Sequence, residues 1–150
     1  RGLAVVPGRV TRPTVAEVFL DTNVLVYAFD TSDEAKRARA LAVLTDHPDA
    51  VISTQVLLEW FTIVTRKLTP TLPLADAVTA MGVLARLDVV PADADLALRA
   101  ARTSVEAQLS IWDAMVIEAA AIAGCGTILT EDLNDGQVIR GVKVINPFAD

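Results

Sequence analysis

Four acidic residues stand in surroundings that make an acid costly. Asp21 stands in the run Val18-Phe19-Leu20-Asp21-Thr22-Asn23, where three apolar residues meet an acid, a hydroxyl and an amide. Glu59 sits inside Val56-Leu57-Leu58-Glu59-Trp60-Phe61, Asp113 follows Ser110-Ile111-Trp112, and Asp132 belongs to Thr130-Glu131-Asp132. A buried carboxylate normally has a basic partner or a metal, because leaving it alone costs several kcal/mol. For Glu59 the helical neighbours at positions 55, 56, 62 and 63 are Gln, Val, Thr and Ile, so no local ion pair is available. Repulsion among gathered carboxylates favours either protonation or a cation. Oxygen-only ligands point to Mg²⁺ or Mn²⁺. One histidine and one cysteine make a zinc site a poor fit.

Each acid also has an ordinary reading. Asp21 can close a strand through an Asx turn. Glu59 can lie at a helix edge in solvent. Asp113 can reach back to Ser110 in a capping box, although Asp is shorter than the usual Glu or Gln. Asp132 lies in a polar loop that also carries Glu131 and Asp135. Glu118, five residues after Asp113, is turned about 140° away on a helix and is left out of the site. Thr22, Asn23, Thr130 and Asp135 are candidates for outer contacts to ligands or to phosphate.

The elements that must position these residues follow from pattern. Short apolar strands are expected at Val18–Leu20, Ala50–Ile52, Asp88–Val90, Thr127–Leu129 and Val142–Ile145. Helices are expected from Glu34 to about Thr45, from about Gln55 to Leu68, from Leu74 to Leu87, from about Ala92 to Gln108 and from Ile111 to Ala123. Thr22–Phe29 is ambiguous, with Val24, Leu25, Tyr27 and Ala28 able to begin a short helix. Glu131–Gly136 reads as a loop. Strands alternating with helices imply a parallel sheet covered on both faces, because parallel neighbours need long crossovers. All strand carboxyl ends then share one rim, where open α/β sheets bind ligands. Asp21 and Asp132 both fall near it.

The 150-residue length suits one domain. Residues 1–15 carry Gly2, Pro7, Gly8 and Pro13 without periodicity and read as a loose arm; residues 16–150 read as a single domain. The chain is 53% apolar with mean hydropathy +0.45. No apolar run reaches the roughly 18 residues that span a bilayer, so the surplus is read as an interface, a dimer or a bound partner. No signal-peptide core is present at the N-terminus, and a cytoplasmic location is the expectation. The net charge of −6 argues against a general nucleic-acid-coating protein. Cys125 reads as a small buried filler and His47 as an exposed turn residue. Arg66 with Lys67, and Arg99 with Arg102, read more readily as helix-end cations than as phosphate contacts. Trp60 and Trp112 read more readily as core residues than as base-stacking surfaces.

Four segments in order, Val18 to Asn23, Ser53 to Glu59, Ser110 to Ala114 and Thr130 to Gly136, resemble those of a PIN-domain ribonuclease, and most nearly a VapC-type toxin of a prokaryotic toxin–antitoxin pair. The resemblance covers roughly residues 17–148. It implies a three-layer α/β/α sandwich around a five-stranded parallel sheet, with Asp21, Glu59, Asp113 and Asp132 as the acidic quartet. It also implies Mg²⁺ or Mn²⁺, cleavage of structured RNA (a tRNA or rRNA loop), homodimers, and a cognate antitoxin. Asp21, Asp113 and Asp132 are the first choices as direct ligands. Glu59 is a water-mediated ligand or a base. The arm before residue 16 departs from the family pattern. Two other readings are an RNA-processing nuclease without an antitoxin and a catalytically silent RNA- or protein-binding domain. A phosphohydrolase with an aspartyl nucleophile would usually need a second Asp at position 23, where this chain has Asn23.

Overall fold

The computed structural model describes residues 18–150. The expected arm at residues 1–15, and the first two residues of the expected domain, lie outside them. The described chain opens with β1 (Val18–Leu20), α1 (Thr22–Tyr27), α2 (Glu34–Asp46) and β2 (Val51–Ser53). It continues through α3 (Thr54–Arg66), α4 (Leu74–Leu84), β3 (Asp88–Val90) and α5 (Ala94–Ala107). It ends with α6 (Ile111–Ile122), β4 (Thr127–Leu129), β5 (Val138–Ile139) and β6 (Val142–Ile145).

The sheet order is β3-β2-β1-β4-β6-β5. The first five strands in that order are parallel, as the alternation of strands and helices requires. The sixth, β5, is antiparallel to β6 and was not expected. It forms because Arg140 and Gly141 both adopt positive φ, 54° and 76°, and fold the chain into a tight hairpin. The helices form two groups. One joins α1 to α2 and α3, and α3 to α4; the other pairs α5 with α6. Together with the sheet they make the three-layer α/β/α sandwich.

Helix and strand ends differ from expectation by one to three residues, α3 stopping at Arg66 and α5 starting at Ala94. The α4 helix stops at Leu84, because Arg86 and Leu87 donate their N–H groups three residues back, to Val83 and Leu84, in tight turns that lead into β3. β2 is displaced by one residue, so that Ser53 closes the strand and accepts the Val56 N–H as the N-cap of α3. Thr22–Tyr27 resolves as helix, capped by Asp21.

The core lies on both faces of β1, β2 and β4. Phe19, Leu20, Ile52 and Ile128 are wholly buried there among Val24, Leu25, Trp60 and Ile117. Trp60 meets Phe29 edge to face at 5.2 Å. Cys125 is buried, as expected of a filler. Glu118 points away from the strand rim and is bound by Thr103 Oγ1 at 2.6 Å and by Arg140 Nε at 2.9 Å. Among the described residues, no helix is long and apolar enough to cross a membrane.

Candidate active site

The parallel register sets the first contact. Leu20 lies beside Leu129, so the next residues, Asp21 and Thr130, come side by side at the carboxyl rim. The ladder continues past the strands through Asp21 N–H to Leu129 at 3.1 Å and Thr130 N–H to Ile145 at 3.0 Å. The Thr130 hydroxyl then donates to Asp21 Oδ2 at 2.8 Å, while Asp21 Oδ1 accepts the Thr22 N–H at 2.8 Å. Asp21 therefore closes its strand by capping, the ordinary role, and also presents a carboxylate at the rim.

Polar neighbours bind the other acids into place. The Thr22 hydroxyl donates to Glu59 Oε1 at 2.8 Å, linking α1 to α3. Asn23 donates to Thr130 Oγ1 and to Asp132 Oδ2, each at 3.1 Å, and accepts the Glu131 N–H at 3.3 Å. The Asp132 N–H donates to Thr130 Oγ1 at 3.0 Å. Thr130 thus gives its one proton to Asp21 and takes one from each of Asn23 and Asp132. Glu59 receives a second bond from Gln55 Nε2 at 3.3 Å, one helical turn earlier. Asp113 is held by its backbone, whose N–H donates to Ser110 Oγ at 3.0 Å at the start of α6.

A cleft of about 620 Å³ is lined by Asp21, Glu59, Asp113 and Asp132 together. Thr22, Asn23 and Gln55 also line it, as do Asp30, Lys67 and Trp112. Among the described residues none of the four acids is in an ion pair; the salt bridges join Lys36 to Glu131, Arg37 to Glu34, Arg99 to Asp95 and Arg140 to Glu118. Burial raises the Asp21 carboxyl to about 6, against hydrogen bonds from Thr130 and Thr22 that lower it, and the charges of Asp132 and Glu59 push it further up. As placed, no three Asp, Glu, His or Cys side chains among the described residues close around one point. The donor chemistry still fits a hard divalent ion: the four side chains offer oxygen alone, and none is paired with a cation among the described residues. Mg²⁺ usually takes one or two carboxylates and keeps several waters.

The loop after β4 has its own anchor. Glu131 accepts hydrogen bonds from the Tyr27 hydroxyl and from Lys36 Nζ, the latter at 3.0 Å, and Lys36 lies 4.5 Å from the Tyr27 ring centre. Burial and the Glu131 carboxylate raise the Tyr27 hydroxyl, while its bonds to Tyr27 and Glu131 raise the Lys36 ammonium.

Asp135 lies elsewhere. Its carboxylate accepts the Asn146 N–H at 2.7 Å and does not line the cleft, because the loop has turned back toward β6. Trp60 is core, as expected, but Trp112 is not: it stays 60% exposed at the cleft mouth. Gln55 was visible in the sequence only as a neutral neighbour of Glu59; its amide, four residues before, is the signal that identifies it as a partner. Lys67 was read as a helix-end cation, and it also lines the cleft.

A doubly wound α/β domain with acids gathered at the carboxyl rim of its sheet is thus the class that fold and site define. Residues 18–137 match the PIN domain family, and the chain belongs to it. Comparison with curated proteins gave no significant match. Among solved structures, a toxin–antitoxin complex from Klebsiella pneumoniae is 21% identical, with a TM-score of 0.68, covering 88% of this chain and 98% of that one. VapC20 of Mycobacterium tuberculosis, described as a Sarcin-Ricin loop cleaving toxin, is 21% identical with a TM-score of 0.61, covering 75% and 87%. DNA-bound VapBC from Salmonella typhimurium is 21% identical with a TM-score of 0.60, covering 86% and 96%. These similarities bear on the fold.

Proposed function

We propose that this protein is a Mg²⁺- or Mn²⁺-dependent endoribonuclease and the toxin of a toxin–antitoxin pair. The observation that carries the reading is the convergence of Asp21, Glu59, Asp113 and Asp132 on one cleft without a basic partner among the described residues. Asp21, Asp113 and Asp132 would hold the ion. When bound, it lowers the pKa of water and offsets charge on a phosphate. Glu59, bonded to Thr22 and Gln55, keeps both oxygens oriented toward the cleft side of α3 and is placed to hold or accept a proton from an attacking water. Thr130 and Asn23 fix the angle between Asp21 and Asp132 before any ligand arrives. Lys67 offers a cation for a flanking phosphate.

The partners follow from the relatives. VapC20 is described as a Sarcin-Ricin loop cleaving toxin, and the Klebsiella structure is a toxin–antitoxin complex. A structured RNA loop and a cognate antitoxin are accordingly the proposed substrate and regulator here, in the cytoplasm. A homodimer is supported by apolar residues exposed on two helices, Leu74 and Val78 on α4, and Leu98 and Val105 on α5.

The test is calorimetric titration of Mn²⁺ and Mg²⁺ into the native protein, with cleavage of total RNA assayed with and without EDTA. Saturable binding and EDTA-sensitive cleavage are expected. Neither binding nor cleavage, with RNA still retained, would leave a silent binding domain instead. Replacing Asn23 gives a finer prediction. Asn23→Ala removes the two side-chain bonds that hold Thr130 and Asp132, and Mn²⁺ affinity should fall roughly 10- to 100-fold, as for other outer partners of metal ligands. Calorimetry on the variant checks this; unchanged affinity would mean that Asp132 is not a ligand.

A further inference from the structure

An acidic protein has little electrostatic means of holding RNA. Most nucleic-acid affinity comes from neutralised phosphates, yet this chain carries a net charge of −6 and its cleft is lined by Lys67 as the one cation among the described residues. Something other than charge must contribute. Beside the cleft lies an apolar groove of about 410 Å³, lined by Gln55, Leu58, Glu59, Ala92, Trp112 and Met115. Cleft and groove share Gln55, Leu58, Glu59 and Trp112, so the two are continuous.

Two large apolar side chains stay in solvent where they meet, Trp112 at 60% exposure on α6 and Leu58 at 61% on α3. Trp112 directly precedes Asp113, and its main-chain carbonyl accepts Gln55 Nε2 at 3.4 Å. The same amide holds Glu59. The indole is therefore carried on backbone fixed to the acidic quartet. Gln55 itself is nine-tenths buried, and its Oε1 has no hydrogen-bond partner among the described residues. Such an orphan acceptor is costly, and it lies behind the groove surface that Leu58 and Trp112 present.

We propose that the groove takes an unpaired nucleobase of the RNA strand, stacked on the Trp112 indole and covered from the other side by Leu58. This rests on the nuclease reading for its geometry: a phosphate at the four acids puts the adjoining base at the groove. Single-stranded RNA is commonly held this way, on aromatic faces that accept any base. It also provides affinity that salt does not screen, which suits an acidic chain.

The two tryptophans make a direct test. Trp60 is wholly buried and Trp112 exposed, so acrylamide-quenchable emission belongs to Trp112. The metal-free full chain is titrated with a single-stranded RNA of roughly ten nucleotides, within the usual footprint of such sites, and with the same strand made abasic. RNA should shield Trp112 from acrylamide, and the abasic strand should not. Trp112→Ala should weaken RNA binding about 5- to 100-fold, with Trp112→Phe retaining most of it and neither variant changing Mn²⁺ affinity. Equal binding by Trp112→Ala and the native chain would overturn the proposal. So would an indole shielded by self-association alone, which would make the groove an interface between two copies. EDTA-sensitive RNA cleavage, run in parallel, separates the two claims. Shielding without cleavage would fail the nuclease reading alone, and cleavage indifferent to Trp112 would fail the stacking alone.

Discussion

Asp21→Asn should abolish RNA cleavage and at the same time make the metal-free protein more stable at neutral pH. Loss of activity follows from removing the charge of the proposed metal ligand at the rim; a fall of roughly 10²- to 10³-fold or more is expected, the scale at which fixed electrostatic contacts act in catalysis. The gain in stability follows from burial. Asp21 is 5% exposed, and its carboxyl rises from 3.8 to about 6 on folding, chiefly through desolvation. A folded value above the unfolded one means that the protonated side chain favours the fold. That contribution is complete below pH 3.8 and is lost as pH rises through about 6. At about 1.4 kcal/mol per pH unit the ionised group costs the folded state about 3 kcal/mol at pH 7.

Asparagine is neutral at every pH and escapes that cost, but it cannot keep both of the aspartate's bonds. One oxygen of Asp21 accepts from the Thr22 N–H and the other from the Thr130 hydroxyl. Asn has one oxygen, and turning its amide to either partner sets donor against donor at the other. Losing one bond costs about 1 kcal/mol. The net gain is then about 2 kcal/mol, or roughly 4–8 °C in Tm for a domain of this size. Thermal melts from pH 4 to pH 8 in EDTA should show the advantage of the variant growing between pH 4 and pH 6 and then levelling. Added Mn²⁺ should narrow it, because only the native chain is stabilised by binding. A variant less stable than the native protein at pH 7.5 without metal would mean that the Asp21 charge is already compensated.

What the sequence made legible was the part fixed locally. Three apolar residues followed by Asp21-Thr22-Asn23 specify a buried strand with a polar end whatever lies beside it. Ser110 three residues before Asp113 specifies a helix start: the serine hydroxyl accepts the Asp113 N–H, one half of a capping box, while the aspartate carboxylate lines the cleft. The hidden part depends on neighbours distant in the chain. β5 has two residues, too few to alternate, and it pairs through an Arg-Gly turn without the Asn-Gly pattern that usually marks a hairpin. Asp135 looked like an outer contact of the site that Asp132 enters, and the turn toward Asn146 takes it out of the cleft. Trp112 looked like core because aromatic side chains dominate cores. The second position of α6 instead overhangs the rim, beyond the sheet that covers the rest of the helix.

Glu118 brings out a second hidden dependence, and with it the largest stability loss expected from an exposed residue. Its carboxylate is 1% exposed, and one oxygen, Oε2, accepts both the Thr103 hydroxyl and Arg140 Nε. Arg140 stands at the hairpin turn between β5 and β6, 52% exposed. Arg140→Ala leaves the carboxylate in place with a single neutral donor. Breaking a fully buried pair in this way costs about 3–5 kcal/mol. Arg140 is half in solvent, so water can enter in its place, and the expected loss is about 2–3 kcal/mol. Alanine at φ 54° adds little, since arginine already bears that strain. Thermal melting should show Tm lower by roughly 4–12 °C. Because the pair lies away from the cleft, Mn²⁺ affinity should not change. The double variant Arg140→Ala with Glu118→Gln should recover part of the loss, because glutamine keeps the Thr103 bond without a buried charge. If Arg140→Ala melts with the native protein, Glu118 is sufficiently held by Thr103 and the hairpin contributes nothing to the second helical layer. If instead the double variant melts lower than the single one, the destabilising element is the lost packing of the arginine stem, and the charge left behind is not the cause.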